Sequence, residues 1–565
     1  MMRRGCAAML VLLSVLLTGC AELPSSGPVE QVKMVLEQPG VEIAPEPPAV
    51  DMSPEQLIDG FLLAMADPDA DYAIAREYLT GQAEKDWQPS SGATIYDGGL
   101  VGVPPTLDGR QVGTLDRQGR YAPEAGTMHH DFGLIQVDGQ WRIDAPPEGL
   151  LLSRFLFERY YSRVTTYFMS RQGTHVVPDV FYLPESLVTP QRVVETQLAG
   201  PSPELAPAVT NALGPGVRMG PEGATINAEG VVMVDLAGLP AGMPEEALRR
   251  LGAQLLWSLT AVPRTTGLRL TVDGVPFDLP GQRSDGVLEL SSQQGYQVLN
   301  RATTPDLYAI IQGVLGVVTS TRELAPLSEG LPDAAELAIS IDATLAAIVN
   351  DDGRTLLLGT PKGRFTPVEH DYQNLRCPQF VLGELWVLAD DPSGAPVVLV
   401  VSAQGDVSAM AVDLPSGHRL RSMTVSQTGA TAATITVKDG TPQLGMMTIA
   451  GGDVRLATHW RQVRPVSPTG QPLTGIEAAD WQGETSLAVL AAAGGAQSIF
   501  LVQADGSGVE DLSPPVVEVD RLTALIRRGG GGIAIRTVDG MVWRYESITR
   551  WSRAIEEAEV IAYAG

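Results

Sequence analysis

At 565 residues the chain has room for three or four domains, and a hydrophobic content of 44% excludes wholesale disorder. Its formal net charge of −27 excludes nucleic acid and anionic lipid as partners held through a basic surface. A neutral ligand, or a protein presenting a basic face, remains compatible with this balance.

The chain opens with Arg3 and Arg4, followed by the apolar run Cys6 to Leu17, in which only Ser14 is polar. Twelve residues are too few for a membrane-crossing helix, which needs about 20. The order of basic start, short apolar middle and small residues is that of a secretory leader. Leu17-Thr18-Gly19-Cys20 resembles the lipobox of bacterial lipoproteins. That resemblance implies cleavage before Cys20, diacylglycerol carried on its sulfur as a thioether, and acylation (N-palmitoylation) of the new amine. Two or three chains anchor stably at about 0.8 kcal/mol per buried methylene, where one would exchange. The competing reading is a soluble secreted protein with a chance cysteine at its cut site. With Cys6 removed and Cys20 lipidated, Cys377 alone remains, so no intramolecular disulfide is expected; Cys377 is read as a buried free thiol.

Residues 20–52 lack apolar periodicity and contain "EQPGVEIAPEPPAV", which reads as a tether. A first domain, 53–165, begins with Ser53 as N-cap, Pro54 at the first helical position and Gln56 completing a capping box. Leu57, Phe61 and Met65 then share a helical face. A short helix around Tyr72, Ala75 and Leu79 follows, then strands ending in a hairpin with an Asp138-Gly139 turn. Helices followed by a curved antiparallel sheet resemble the NTF2-like α+β fold.

A second domain, 170–295, contains a helix over "VETQLAGP" stopped by Gly200-Pro201 and a buried strand "GVVMVDLAG" ending near Asp235. A second helix, "ALRRLGAQLLWSLTAVP", and a strand "LRLTVDGVPF" turning at Asp273-Gly274 complete it. These elements at these spacings resemble the GerMN domain of sporulation and germination proteins. The resemblance implies a small α/β fold and supplies no catalytic motif.

From residue 300 to 565 short strands alternate with glycine and aspartate turns. Similar segments align on Ile341, Phe380, Val425, Asp480 and Ile526, at spacings of 39, 45, 55 and 46 residues. That period fits the four-stranded blades of an all-β propeller, of five to seven blades, better than a β-sandwich. "LYAIIQGVLGVVTS" near its start and "EVIAYA" at its end are expected to supply strands that close the ring.

The chain lacks Gly-x-Ser-x-Gly, His-Glu-x-x-His, Cys-x-x-Cys and a phosphate-binding Walker loop. His129 and His130, before Asp131, are adjacent on a strand and point to opposite faces, so they do not share a metal. The paired aspartates Asp351-Asp352 and Asp390-Asp391 sit in turn sequences, where aspartate caps backbone. Trp386, Trp481 and Trp543 fall in blade-like strands and read as core. No catalytic residue, metal or cofactor is assigned.

The succession of lipobox, tether, NTF2-like region, GerMN domain and propeller resembles the LpqB family of actinobacterial lipoproteins. An arginine-rich chain with lysine only at 33, 85, 362 and 438 suits a GC-rich source. The family resemblance implies a non-enzymatic accessory protein, lipid-anchored on the extracytoplasmic face of the cell membrane. Its expected partner is the extracellular domain of the sensor histidine kinase of the MtrAB two-component system, with effects on cell-wall homeostasis and division. The alternative is a glycan-binding protein or glycan-active enzyme that uses the propeller face.

Overall fold

In the computed structural model the described residues are 45–565, except 301–303, 452–454, 515, 517, 529, 548 and 549. The leader, the lipobox Leu17 to Cys20 and most of the tether therefore lie outside the described residues.

The first helix, Pro54–Ala64, starts as its sequence dictates. Ser53 Oγ accepts from the Gln56 amide at 3.3 Å while Gln56 Oε1 accepts from the Ser53 amide at 3.1 Å. Leu57, Phe61 and Met65 are buried on its inner face. Phe61 packs on Trp87 at 5.5 Å between ring centroids and edge-on to Phe132 at 6.3 Å. Helices Ala73–Glu77 and Gly81–Asp86 follow. The sheet is ordered Tyr121–His130, Thr106–Leu115, Ala93–Val101, Leu150–Ser153. Its last strand pairs parallel with Ala93–Val101, a departure from a wholly antiparallel sheet. Gly119 lies in a turn at φ +81°, where a Cβ would run into the carbonyl oxygen of Tyr182; only glycine fits.

Strand Tyr161–Ser170 carries the chain through the interval between the two expected domains, pairing antiparallel with Val176–Pro184. Val164 and Phe181 bury into the core of the second domain with Leu251, Leu255 and Leu259. Strands Val231–Ala237 and Gly267–Val272 are parallel, joined across helix Glu245–Leu259 as a parallel connection requires. The expected turn at Asp273-Gly274 has both residues at positive φ and leads into Val275–Phe277.

The repeats form a ring of six four-stranded blades among the described residues. Blade 1 combines the C-terminal strand Val560–Tyr563 with Leu307–Ile311, Val314–Val318 and Leu324–Ser328. Blades 2 to 6 follow in chain order, with innermost strands Ala334–Ile339, Gln373–Val381, Arg419–Val425, Leu473–Trp481 and Val519–Ala524. Closing the ring with main-chain hydrogen bonds between its two ends removes exposed edges. Blades 3 and 4 are further joined at their rims by parallel pairing of Ala411 and Val412 with Leu456 and Ala457.

Candidate functional site

Six innermost strands surround an axial cavity of about 320 Å³. Every neighbouring pair of blades is linked there by a polar contact. Glu336 accepts from the Cys377 amide at 2.6 Å, Gln379 Oε1 from the Val425 amide at 2.7 Å, and Asp480 Oδ2 from the Ala524 amide at 2.7 Å. Thr523 Oγ1 accepts from the Tyr563 amide at 3.1 Å, Trp481 Nε1 donates to the Thr424 carbonyl at 3.1 Å, and the Gly565 amide donates to the Ile339 carbonyl at 3.0 Å. These six contacts satisfy backbone groups that the sheets leave unpaired at the axis.

Burial sets the chemistry of this ring. Desolvation raises Asp480 to about 6, against the opposing effect of hydrogen bonds from Ala524, Trp481 and Thr424. Glu336 is also raised by burial, and the nearby Arg521 acts against that rise. The Cys377 thiol, pushed up to about 12 by burial and by Glu336, stays protonated at neutral pH and is no nucleophile there. Cys377 is a free thiol as expected, but the residue is half-buried rather than buried: with φ of +51° it lines the cavity on one side and packs against the apolar core between blades 3 and 4 on the other. The physical reason is the ring itself: an inner strand has a neighbour on one side and the axial space on the other.

The other sequence candidates are dispersed. His129 Nδ1 meets Asp108 Oδ1 at 2.8 Å on an edge strand, while His130 Nε2 meets the Ala145 carbonyl at 3.1 Å and stacks edge-on to Phe132. Asp352 caps the amides of Arg354 and Thr355, and Asp391 those of Ser393 and Ala395. Asp390 pairs with Arg376 at 3.1 Å. Trp386 and Trp481 are buried; Trp543 is half-buried under the Arg553 guanidinium. The axial ring is not among the sequence candidates, although Glu336, Gln379, Thr424, Asp480 and Thr523 recur on innermost strands close to the blade period. A polar residue recurring within an apolar repeat is the signal that could have found it.

Because consecutive strands of a blade are antiparallel, turns after first and third strands emerge on one face, and turns after second and fourth strands on the other. The first face meets the preceding domain. Glu484 accepts from Tyr167 Oη at 2.7 Å and from Gln297 Nε2 at 2.6 Å, and Arg528 lies over the Trp257 ring at 4.6 Å. Tyr182 Oη donates to Asp505 at 3.0 Å, and the Thr428 carbonyl lies 2.9 Å from His175 Nε2. The opposite face exposes Asp351, Asp352, Glu369, Asp371, Asp413, Asp439, Glu518 and Glu557 on its turns. Exposed cations on those turns and at the strand ends beside them are Arg354, Arg419, Lys438 and Arg464 among the described residues, so this face is acidic.

Among the described residues no helix is long and apolar enough to cross a membrane. Three family models match the chain: "Lipoprotein LpqB, N-terminal domain" over 47–158, "Sporulation and spore germination" over 165–278, and "Lipoprotein LpqB beta-propeller domain" over 318–556. The chain is 30% identical to the lipoprotein LpqB of Cutibacterium acnes, over 98% of each chain. It is 27% identical to that of Streptomyces avermitilis, over 99% of this chain and 97% of the relative. Among solved structures it is similar to TolB from Acinetobacter baumannii, at 14% identity and a TM-score of 0.33, over 48% of this chain and 69% of that one.

Proposed function

This chain belongs to the LpqB lipoprotein family, and on that premise we propose that it is a lipid-anchored accessory protein that acts by docking a partner rather than by catalysis. The acidic outer face of the propeller carries this reading. It lies opposite the turns that meet the second domain. Among the described residues the first domain touches it at the turn between blades 4 and 5, where Arg110 and Arg154 donate to the Gly470 and Ser467 carbonyls. Charge of one sign on one face selects and steers a partner with a basic surface. Acylation at Cys20 would hold the protein on the extracytoplasmic side of the cell membrane. Confinement there raises its effective concentration for a membrane-borne partner.

The partner we infer is the extracellular domain of the MtrAB-type sensor histidine kinase. Docking works as regulation only if one signalling state is bound more tightly, since a ligand shifts an equilibrium by its difference in affinity. The test is calorimetric titration of residues 45–565 with the purified kinase domain, at low and high salt. Saturable binding that weakens at least about tenfold in high salt and in the triple variant Glu369→Lys, Asp371→Lys and Glu518→Lys is expected. No saturable heat, or binding insensitive to both changes, would reject the reading.

A further inference from the structure

Where the first domain, the second domain and the propeller meet, a cavity of about 340 Å³ is walled by all three. Arg120 from the first domain, Arg163 from the connecting strand Tyr161–Ser170 that pairs with the second domain, and Arg461 from the propeller line it. Arg120 donates to the Gly200 carbonyl at 2.7 Å, Arg163 to that of Thr485 at 3.2 Å and Arg461 to that of Asp505 at 3.4 Å. Among the described residues none of the three has a carboxylate oxygen within ion-pair distance, whereas arginines elsewhere, such as Arg154 with Asp97 and Arg376 with Asp390, do.

Five carboxylates share these walls: Asp116 and Glu204 are exposed, Asp116 accepting from the amides of Gln118 and Arg120, and the other three are engaged by hydrogen-bond donors. Asp179 accepts from the Ser202 amide at 2.7 Å, and Asp505 and Glu484 are held by Tyr182 and by Tyr167 with Gln297. Each guanidinium has five donors and is given one hydrogen bond among the described residues, so donors remain for a ligand. In addition, Arg163 Nε is buried without an acceptor, an arrangement that costs about 1–3 kcal/mol. Between the arginines the wall is apolar, with Leu115, Val177 and Met447 buried or facing the space.

We propose that this three-domain cavity binds a small organic oxyanion, a phosphate or carboxylate head on an apolar body. Guanidinium forks match such heads bidentately, and the apolar wall takes the rest. With one arginine from the first domain, one from the strand that joins it to the second and one from the propeller, the site is complete only while the three domains hold this arrangement. Occupancy therefore stabilises the junction that also positions the acidic face.

The test uses residues 45–565, which form one compact unit. Octyl phosphate is titrated by calorimetry beside inorganic phosphate and octanol. One-to-one saturable binding of octyl phosphate, at least about tenfold tighter than either fragment, is expected. Arg163→Gln and Arg461→Gln should each weaken it at least about tenfold. In case a variant misfolds, the unsubstituted protein is treated with phenylglyoxal, and octyl phosphate should protect Arg163 and Arg461 from modification, read by peptide mass. Vesicles containing phosphatidic acid identify the source of the head group: competition marks a lipid, and its absence a soluble metabolite. Binding equal for octanol, no saturable binding, or full modification of both arginines in the presence of octyl phosphate would overturn the proposal.

Discussion

Replacing Asp480 with asparagine tests the axial ring through its pH dependence. Asp480 titrates near 6 in the folded protein and near 3.8 in an unfolded chain. At about 1.4 kcal/mol per tenfold change in proton affinity, that difference amounts to about 3 kcal/mol. Its sign follows from proton binding. Between pH 3.8 and 6 the folded state holds a proton that the unfolded state has released, so stability falls as pH rises through this window. Asparagine keeps the size and one acceptor but does not titrate. Its constant cost in hydrogen bonding leaves the slope untouched, and the raised Glu336, common to both proteins, cancels in the difference. Urea unfolding of residues 45–565, followed by tryptophan fluorescence from pH 3.5 to 7, gives the stability of each protein. The advantage of the wild type over Asp480→Asn should shrink by about 3 kcal/mol across this range. A difference that stays flat, or that grows with pH, would refute the assignment of a desolvated carboxyl at the ring.

Cys377, held near 12, should alkylate with iodoacetamide at pH 8 about a thousandfold more slowly folded than in urea, as followed by intact mass. Tyr167→Phe removes one hydrogen bond to Glu484 and should cost about 1–2 kcal/mol, whereas Glu484→Ala strips Gln297 as well and should cost more; unfolding midpoints rank the two. Gly119→Ala combines a positive φ with a collision against the Tyr182 carbonyl and should cost more than about 2 kcal/mol, seen as a lowered melting temperature. Cys20→Ala should move the protein from the membrane fraction to the soluble fraction, as read by immunoblot; retention in the membrane would remove the lipid anchor from the account.

Local chemistry was legible wherever neighbours in sequence are neighbours in space. The capping box at Ser53, the Asp138-Gly139 turn and the stop at Gly200 needed only a few consecutive residues. The strands supplied by the two ends of the propeller could be anticipated because both are apolar runs flanking a repeat. The blade number could not, since degenerate repeats spaced 39 to 55 residues apart are compatible with rings of different size. Pairing of Leu307–Ile311 with Val560–Tyr563 fixes it at six. Cys377 shows the same limit: burial of a strand residue depends on whether its open side meets another blade or the axis.

Periodicity, short motifs and the resemblances they carry thus pointed to the class of each domain and their order along the chain, and to Cys20 as the expected lipidation site, because each depends on interactions over a few residues or on a repeat. Tertiary structure alone decided the axial ring of Glu336, Gln379, Asp480 and Thr523, the separation of the face that meets the second domain from the acidic one, and the gathering of Arg120, Arg163 and Arg461 around one cavity. Contacts such as Tyr167 with Glu484 join residues 317 positions apart. No local preference encodes such a meeting; it follows from the packing of whole domains, whose burial of apolar surface outweighs the preference of any single side chain.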